Sequence, residues 1–409
     1  MRRHIEREAK FVLTDGAPLP TFDLGPTLPT SDVRLIATYW DTADLRLLGF
    51  GHTLRYRSSS DGTEGRWTLK LAPGIGTSDD GQGGDDLMNR SEIDVDGASD
   101  AVPDTVRALL AGAIGSEVLA PVATIVTDRR RITFTDADGR PLVEVADDTV
   151  AAAPTDGTAI AFREIEVEQL DASDADGAAI VSELISVLDE AGARRHRRNK
   201  LQIALGVEPP RAKTAARIDD ATVGGLVRAA IEAGRSRLIS NDPHVRLGDD
   251  PAAIHQARVA TRRLRSDLRS LRDVLDGERV DHLRTELAWL AQLLGGVRDL
   301  DVLRLQLVAH GHELEPVDAE GLAEILTALD DERRARQAEL VDALDSSRYV
   351  DLLHDLALAV DAPPLAADHG ARRLAAEVVH VAWRRTARAV DRLGRRPSGV
   401  ELHEIRKRI

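Results

Sequence analysis

The sequence predicts an α+β protein built as a strand-rich domain followed by an all-helical one, on three observations. Up to about residue 205, apolar and polar residues alternate in short runs separated by Gly, Asp and Pro, the period-two signature of strands and turns. Across residues 206–221 the stretch GVEPPRAKTAARIDDA breaks every periodicity. Beyond it, Leu, Val and Ala recur at helical spacing and no convincing strand remains. A length of 409 residues is enough for two domains with cores of their own. The expected organisation is therefore 1–205, a linker 206–221, and 222–409.

In the first domain the alternation places strands at Ile5–Leu13, Val33–Asp41, His52–Ser58, Arg66–Leu71, Arg90–Val95, Val122–Val126, Arg129–Asp136, Leu142–Ala146 and Ala161–Gln169, with helices at Asp104–Leu110 and Asp174–Ala191. The Gly- and Asp-rich segment Pro73–Met88 reads as a loop. In the second domain, helices are expected over Val223–Ile239, Pro251–Leu275, Asp281–Leu294, Asp299–His310, Ala319–Leu344, Tyr349–Val360 and Gly370–Leu393, with Asp281 and Ser347 as caps.

Composition excludes several classes. With no cysteine there is neither a disulfide, a thiolate metal site nor a thiol nucleophile. A net charge of -15 argues against a general nucleic-acid binder, and 3% aromatic residues leave little for stacking on single strands. The N-terminus, Met1-Arg2-Arg3-His4-Ile5-Glu6-Arg7-Glu8, is charged where a signal peptide would be apolar, and no run of about 18 apolar residues follows. The expectation is a cytoplasmic protein without membrane partners. The acidity is uneven: residues 1–208 carry 22 basic and 36 acidic side chains, whereas residues 209–409 carry 32 and 33.

In a strand, residues i, i+2 and i+4 share a face. Glu6, Glu8 and Lys10 therefore point one way, with Ile5, Ala9 and Phe11 opposite. One such strand alone reads as an ordinary solvated face, but the pattern recurs. Arg55 and Arg57 align, as do Arg129 and Arg131; Lys70, Arg90 and Glu92 sit on further strands, and Glu164, Glu166 and Glu168 align opposite Ile165 and Val167. Faces of nearly pure carboxylate or pure cation are costly without opposite charge between them. For the carboxylates a hard divalent cation, Mg2+ or Mn2+, fits best; for the cations, a polyanion does. If the sheet closes into a barrel, both sets face one lumen suited to a phosphate chain. Lysine is rare, five against 49 arginines, yet Lys10, Lys70 and Lys200 all fall in this domain, where a compact charge differs from an arginine fork.

The ordered set Glu6-x-Glu8-x-Lys10, Tyr39-Trp40-Asp41-Thr42, Leu54-Arg55-x-Arg57, Lys70, Arg129-x-Arg131 and Glu164-x-Glu166 resembles the motifs of the CYTH domain, the triphosphate tunnel metalloenzymes, over roughly residues 1–205. The resemblance implies an eight-stranded antiparallel tunnel that binds triphosphate substrates with divalent metal. It implies metal ligands at Glu6, Glu8, Glu164 and Glu166, to which Asp148 is added because it shares strand parity with Glu144. Phosphate contacts fall to Lys10, Arg55, Arg57, Lys70, Arg90, Arg129, Arg131 and Lys200, with Lys10 and Glu92 as candidate catalytic residues. Asn199 stands before Lys200 where the family often has Ser, and Arg194–Arg198 is unusually basic.

In the helical half, His255, Arg258, Arg262, Arg265 and Arg269 recur at spacings of three and four, and Pro251–Arg272 holds six arginines against one acid, Asp267. Like charges at this spacing destabilise a helix unless an anion offsets them. The tail repeats the theme at His403, Arg406 and Lys407. These two His-x-x-Arg starts, with Leu294-Gly-Gly-Val-Arg298-Asp299-Leu-Asp301, resemble the CHAD domain, which implies binding of inorganic polyphosphate on those basic positions. Arg298 with Asp299 and Asp301 reads more simply as an ion-pair junction. The chain ends at Ile409, so the second helical half is expected to be abbreviated.

The function expected is a Mg2+- or Mn2+-dependent hydrolase of inorganic triphosphate or a related triphosphate, whose helical domain binds long-chain polyphosphate, with polyphosphate granules as a possible location. A non-catalytic polyphosphate-binding protein with an accessory tunnel is the alternative, and a nucleotide cyclase is less favoured.

Overall fold

The computed structural model describes all residues except 15, 61–63, 77–86, 209–221, 249, 273–274, 312–315, 366–379, 381–382, 385, 394–396 and 407–409. It divides into two compact units, Met1–Ala212 with Ser240–Leu247, and Lys213–Ile239 with Gly248–Ile409.

The first unit is a closed antiparallel barrel. Its strands are β1 (Arg2–Val12), β2 (Ser31–Asp41), β3 (Thr53–Ser59), β4 (Arg66–Leu71), β5 (Met88–Val95), β6 (Ala120–Thr135), β7 (Pro141–Pro154) and β8 (Ile160–Gln169). They run in the order β5-β4-β3-β2-β6-β7-β8-β1, and β1 closes the ring by pairing back onto β5. Closure leaves no edge between these eight strands. A short β9 (Arg194–His196) pairs with the end of β1, placing His196 opposite Lys10.

The expected eight-stranded tunnel is the fold found, with differences in detail. Val122–Val126 and Arg129–Asp136 are one strand, because Thr127 and Asp128 continue the alternation and stay in register with Val150 and Thr149. Strand β7 runs beyond Ala146 to Pro154, since Val150 and Ala152 keep the inward parity. Three short elements lacked enough periodic residues to be seen in sequence: β9, α1 (Arg46–Gly49) and α4 (Lys200–Leu205).

The alternation is used in an unusual sense. Outward-facing Phe11, Phe134, Val143, Val145, Ile165 and Val167 pack on helix α3 (Ala175–Glu190) through Val181, Leu184 and Leu188. Helix α2 (Asp104–Ile114) buries Val106 and Leu110. The inward face is charged over part of its length, then becomes apolar: Ala37, Tyr39, Ala123, Ile125, Val150 and Ala152 pack with Leu201 and Ala204 of α4. Helix α4 therefore plugs one end of the bore. A capping box fixes its start, with Asn199 Oδ1 accepting from Gln202 N (2.8 Å) and Gln202 Oε1 accepting from Asn199 N (2.9 Å).

The second unit is helical, with α5 (Val223–Leu247) contributing its first part and α6 (Pro251–Ser270), α7 (Gly277–Gly311), α8 (Pro316–Leu344), α9 (Ser347–Asp361) and α10 (Gly399–Arg406) following. Helix α5 continues past Ile239 through Pro243. The separate helices expected at Asp281–Leu294 and Asp299–His310 are the single α7. Its Gly-Gly pair does not break it but lets neighbours approach: a Cβ on Gly295 would lie 3.2 Å from Arg258 Nη1. Asp281 is consequently interior to α7, and Asp276 Oδ1 accepts from the first N–H groups instead (3.1 and 3.2 Å). Ser346, not Ser347, is the N-cap residue of α9. The helix expected over Gly370–Leu393 and the linker 206–221 fall largely outside the described residues.

Asp41 of the Tyr-Trp-Asp-Thr motif has a purely local role. It is 1% exposed; Oδ1 accepts from Thr42 N (2.7 Å) and Leu47 N (2.9 Å), and Oδ2 from Leu48 N (3.0 Å). These bonds start α1, whose Leu47 and Leu48 are buried. Asp41→Ala should leave three buried N–H groups unpaired and cost about 2–4 kcal/mol, read as a lowered midpoint in urea unfolding; an unchanged midpoint would refute the role.

Candidate triphosphate tunnel

The barrel's parity brings charged residues from seven of the eight strands into one cavity of about 410 Å³. Glu6, Glu8 and Lys10 enter it from β1, Arg55 and Arg57 from β3, Lys70 from β4, Arg90 and Glu92 from β5, Arg129 and Arg131 from β6, Glu144 from β7, and Glu166 and Glu168 from β8. Asn199 and Lys200 enter from the plug. Asp148 and Glu164, both 0% exposed, lie directly behind this surface.

The acidic and cationic sets interleave. Register pairs Asp148 with Glu164, Ala146 with Glu166, and Glu144 with Glu168; β1 then sets Lys10 against Glu166 and Glu8 against Glu168. Among the described residues, Asp148, Glu164 and Glu166 are the group whose ligand atoms all lie within 4.8 Å of one another. Lys200 Nζ reaches each of them, at 3.0, 2.5 and 2.7 Å. Arg129 donates from Nε and Nη2 to the two oxygens of Asp148 (2.8 and 2.7 Å) and from Nη2 to Glu166. Lys10 pairs with Glu166 and, at 2.9 Å, with Glu8. A second knot joins Lys70 to Glu6 and, at 2.9 Å, to Glu92. Arg55 donates to Tyr39 Oη (3.3 Å), and Arg131 to Ser31 Oγ (3.2 Å).

Burial and neighbours set the charge states. Burial pushes the Glu164 carboxyl up, more than Lys10 and Lys200 pull it down. Burial acts the same way on Glu166, but Lys10, Lys200 and Arg129 outweigh it and hold that carboxyl well below the usual range. Burial would lower Lys10 and Lys200, yet Glu164 and Glu166 raise both, so each ammonium keeps its proton. Arg55, with burial, pushes Arg57 down to about 10. Glu92 and Tyr39 offset the repulsion between Arg55 and Arg57 only in part, so this stretch of the wall is the one best suited to an anion.

All the tunnel positions expected from sequence lie in or directly behind this one cavity. Glu144, Glu168, Tyr39, Asn199 and His196 also belong to the site; strand parity marked the two glutamates, whereas His196 depends on the pairing of β9.

In the helical unit, His255, Arg262 and Arg269 are exposed on α6, and Arg258 and Arg265 half-buried, opposite the buried Ala257, Leu264 and Leu268. Arg258 pairs with Asp299 (2.8 Å) and Arg333 with Asp301 (2.6 Å), which ties α6, α7 and α8 together; the two aspartates form a junction as expected, but with these arginines rather than with Arg298. Arg298 adds to the stripe: burial, then Arg298, Arg262 and Arg258, lower the His255 imidazole. His403 and Arg406 fall in α10 but their side chains, like Lys407 altogether, lie outside the described residues.

Comparison with known proteins decides the family. Sequence models of the CYTH domain and the CHAD domain match residues 4–195 and 229–409. The chain is a CYTH domain followed by a CHAD domain. Two uncharacterized Mycobacterium tuberculosis proteins, from strains CDC 1551 and H37Rv, are each 28% identical over 441 residues, spanning 99% of this chain and 80% of the relative. Among solved structures, PptA from Streptomyces chartreusis aligns with a TM-score of 0.39 at 19% identity, over 46% of this chain and 71% of that one. HpAC1 from Hippeastrum, a putative adenylyl cyclase described as having a dominant triphosphatase activity, aligns with a TM-score of 0.28 at 16% identity, over 50% and 98%. CYTH tunnels act on triphosphates and bind divalent cations, and the Asp148, Glu164 and Glu166 group supplies an all-oxygen donor set of the kind hard cations take. A further oxygen on the acidic side, Glu6 Oε2, is buried without a hydrogen-bond partner. The residues therefore fit such an ion. Among the described residues, no helix is long and apolar enough to cross a membrane.

Burial, then the charge of Glu6, push the Glu168 carboxyl up to about 8 against the pull of Lys70. The folded CYTH domain keeps a proton that the unfolded chain releases near 4.5, so this contribution to stability is complete below that pH and is lost as pH rises through about 8. Glu168→Gln should escape the loss. In metal-free buffer, its Tm relative to the parent should climb between pH 4.5 and 8 and then level; parallel curves would refute the shift.

Proposed function

We propose that the CYTH tunnel hydrolyses inorganic triphosphate or a related triphosphate with Mg2+ or Mn2+, and that the CHAD domain binds long-chain inorganic polyphosphate. The observation that carries the first part is the juxtaposition, inside one closed bore, of the buried Asp148, Glu164 and Glu166 group with a wall of Arg55, Arg57, Lys70, Arg90, Arg129 and Arg131. Carboxylates alone would repel a triphosphate, and arginines alone would hold it without means of assisting its cleavage.

In this reading Asp148, Glu164 and Glu166 hold the cation, with Glu6 and Glu8 completing the acidic side. When bound, the ion supplies positive charge to the phosphoryl oxygens and Lewis acidity at the reacting phosphorus. The arginine wall fixes the chain in extended form, so that the phosphoanhydride to be cut is aligned with the acidic side. Lys10 and Lys200 sit at the plugged end among the carboxylates and neutralise charge as it builds on the leaving oxygen. Glu92, held down to about 2 by Lys70 and Arg55 against its burial, is too weak a base to take a proton near neutral pH. It serves to orient Lys70. Apart from the His4 imidazole, Tyr39 is the one aromatic ring among the described residues lining the cavity, and its hydroxyl is engaged by Arg55. This favours a substrate without a base to stack, and counts against nucleotide cyclisation.

Orthophosphate release from tripolyphosphate, assayed with Mg2+ and with Mn2+, tests the tunnel. Turnover is expected with at least one ion, and Glu164→Gln with Glu166→Gln should lower kcat at least about a hundredfold at a temperature where the variant, destabilised by the loss of partners for Lys10, Lys200 and Arg129, is still folded. Absence of turnover with either ion would leave the alternative, a polyphosphate-binding protein with an accessory tunnel. For the CHAD domain, replacing the exposed Arg262 and Arg269 by Ala should weaken retention of long-chain polyphosphate and flatten its salt dependence. Equal retention at every ionic strength would remove α6 from the binding surface.

A further inference from the structure

The two oxygens of Glu164 face different surroundings. Oε2 is turned to the lysines, 2.5 Å from Lys200 Nζ and 3.7 Å from Lys10 Nζ. Oε1 is buried and has no hydrogen-bond partner. Only 3.4 Å from it lies His196 Nε2, which is itself buried and without a hydrogen-bond partner. A carboxylate oxygen and an imidazole nitrogen, each otherwise unpaired and facing one another in a dry site, form a donor and acceptor pair one small adjustment short of a hydrogen bond.

We propose that His196 is the positioning residue for Glu164: its Nε2–H donates to Glu164 Oε1 and so keeps Oε2 directed at the cation site shared with Asp148 and Glu166. The proposal rests on the tunnel's metal-dependent reading. The local structure supports it in two ways. Strand β9 pairs with β1 so that His196 stands opposite Lys10, which fixes the ring's height along the barrel at the acidic group. Glu164 is 0% exposed, so the side chains packed around it decide how Oε1 is held.

The physical need is clear from the charge pattern. Lys10 and Lys200 both compete for Glu164 Oε2, the oxygen that would serve as a ligand. A cation entering the group displaces them, and Glu164 must then stay in place without their pull. A neutral donor on the outer oxygen holds the rotamer without adding positive charge to the site, which a lysine or arginine at 196 would do. Outer partners of this kind typically change metal affinity by about 10- to 100-fold.

Calorimetric titration of Mn2+ alone into the full chain tests this. His196→Phe should weaken Mn2+ binding about tenfold or more, whereas His196→Gln, which retains an N–H donor, should bind within a few-fold of the parent. In the metal-free state both variants should melt near the parent's Tm. Should His196→Phe fail to fold, His196→Asn, polar but too short to reach Oε1, takes its place with the same expected loss. Equal Mn2+ affinity in the parent and in the Phe or Asn variant would overturn the positioning role and leave the tunnel reading intact. No Mn2+ binding by the parent itself would overturn that reading and the proposal with it.

Discussion

Everything about the first domain depends on burying carboxylates of like charge beside one another. Asp148 with Glu164, and Glu144 with Glu168, are cross-strand pairs inside a closed barrel, an arrangement that repels itself and forfeits hydration. It is tolerable because β6 and the plug carry Arg129 and Lys200 to within hydrogen-bond distance of Asp148 and Glu164, and β1 brings Lys10 to Glu8 and Glu166. The barrel could not keep the carboxylates without the cations, nor the cations without the carboxylates. Such mutual dependence also makes the site exchangeable: a divalent ion and a phosphate chain together present the same two signs of charge, one to each wall.

The construction of the barrel follows from that constraint. Since the inward face is charged, the hydrophobic contribution must come from the outer face and from one end. Phe11, Phe134, Ile165 and Val167 pack outward on α3, and α4 seals the bore where its lining turns apolar. A soluble β-barrel ordinarily fills its interior with apolar side chains; here the core is moved to the outside so that the inside can stay polar. The helical domain handles charge differently. On α6 the arginines face away from the buried Ala257, Leu264 and Leu268, and their self-repulsion is eased only in part by Asp299. The tunnel suits a short anion enclosed on all sides, whereas the stripe suits a long one lying along a surface.

Much of the site was legible in sequence because strand geometry converts spacing directly into a face. Glu6, Glu8 and Lys10, or Arg129 and Arg131, are separated by two residues and must point the same way in any strand. Alternation likewise identified the eight barrel strands, with β6 divided in two because the polar Thr127 and Asp128 resemble a turn when the partner strand is not in view. The glycines of α7 misled for a related reason: Gly295 looks like a helix end until Arg258 is seen lying against it.

By itself, the sequence determined which residues share a face, where the period changes from two to 3.6, and that one half concentrates both acidic side chains and nearly all the functional lysines. These follow from covalent spacing, which tertiary contacts do not alter. Only the folded structure decided how the faces meet. Barrel closure between β1 and β5, the shallow plug of α4 that delivers Lys200, and the short β9 that sets His196 beside Glu164 all rest on pairings between residues far apart in the chain. Their energies depend on the partner brought opposite, and no local pattern of charge or hydropathy encodes that partner.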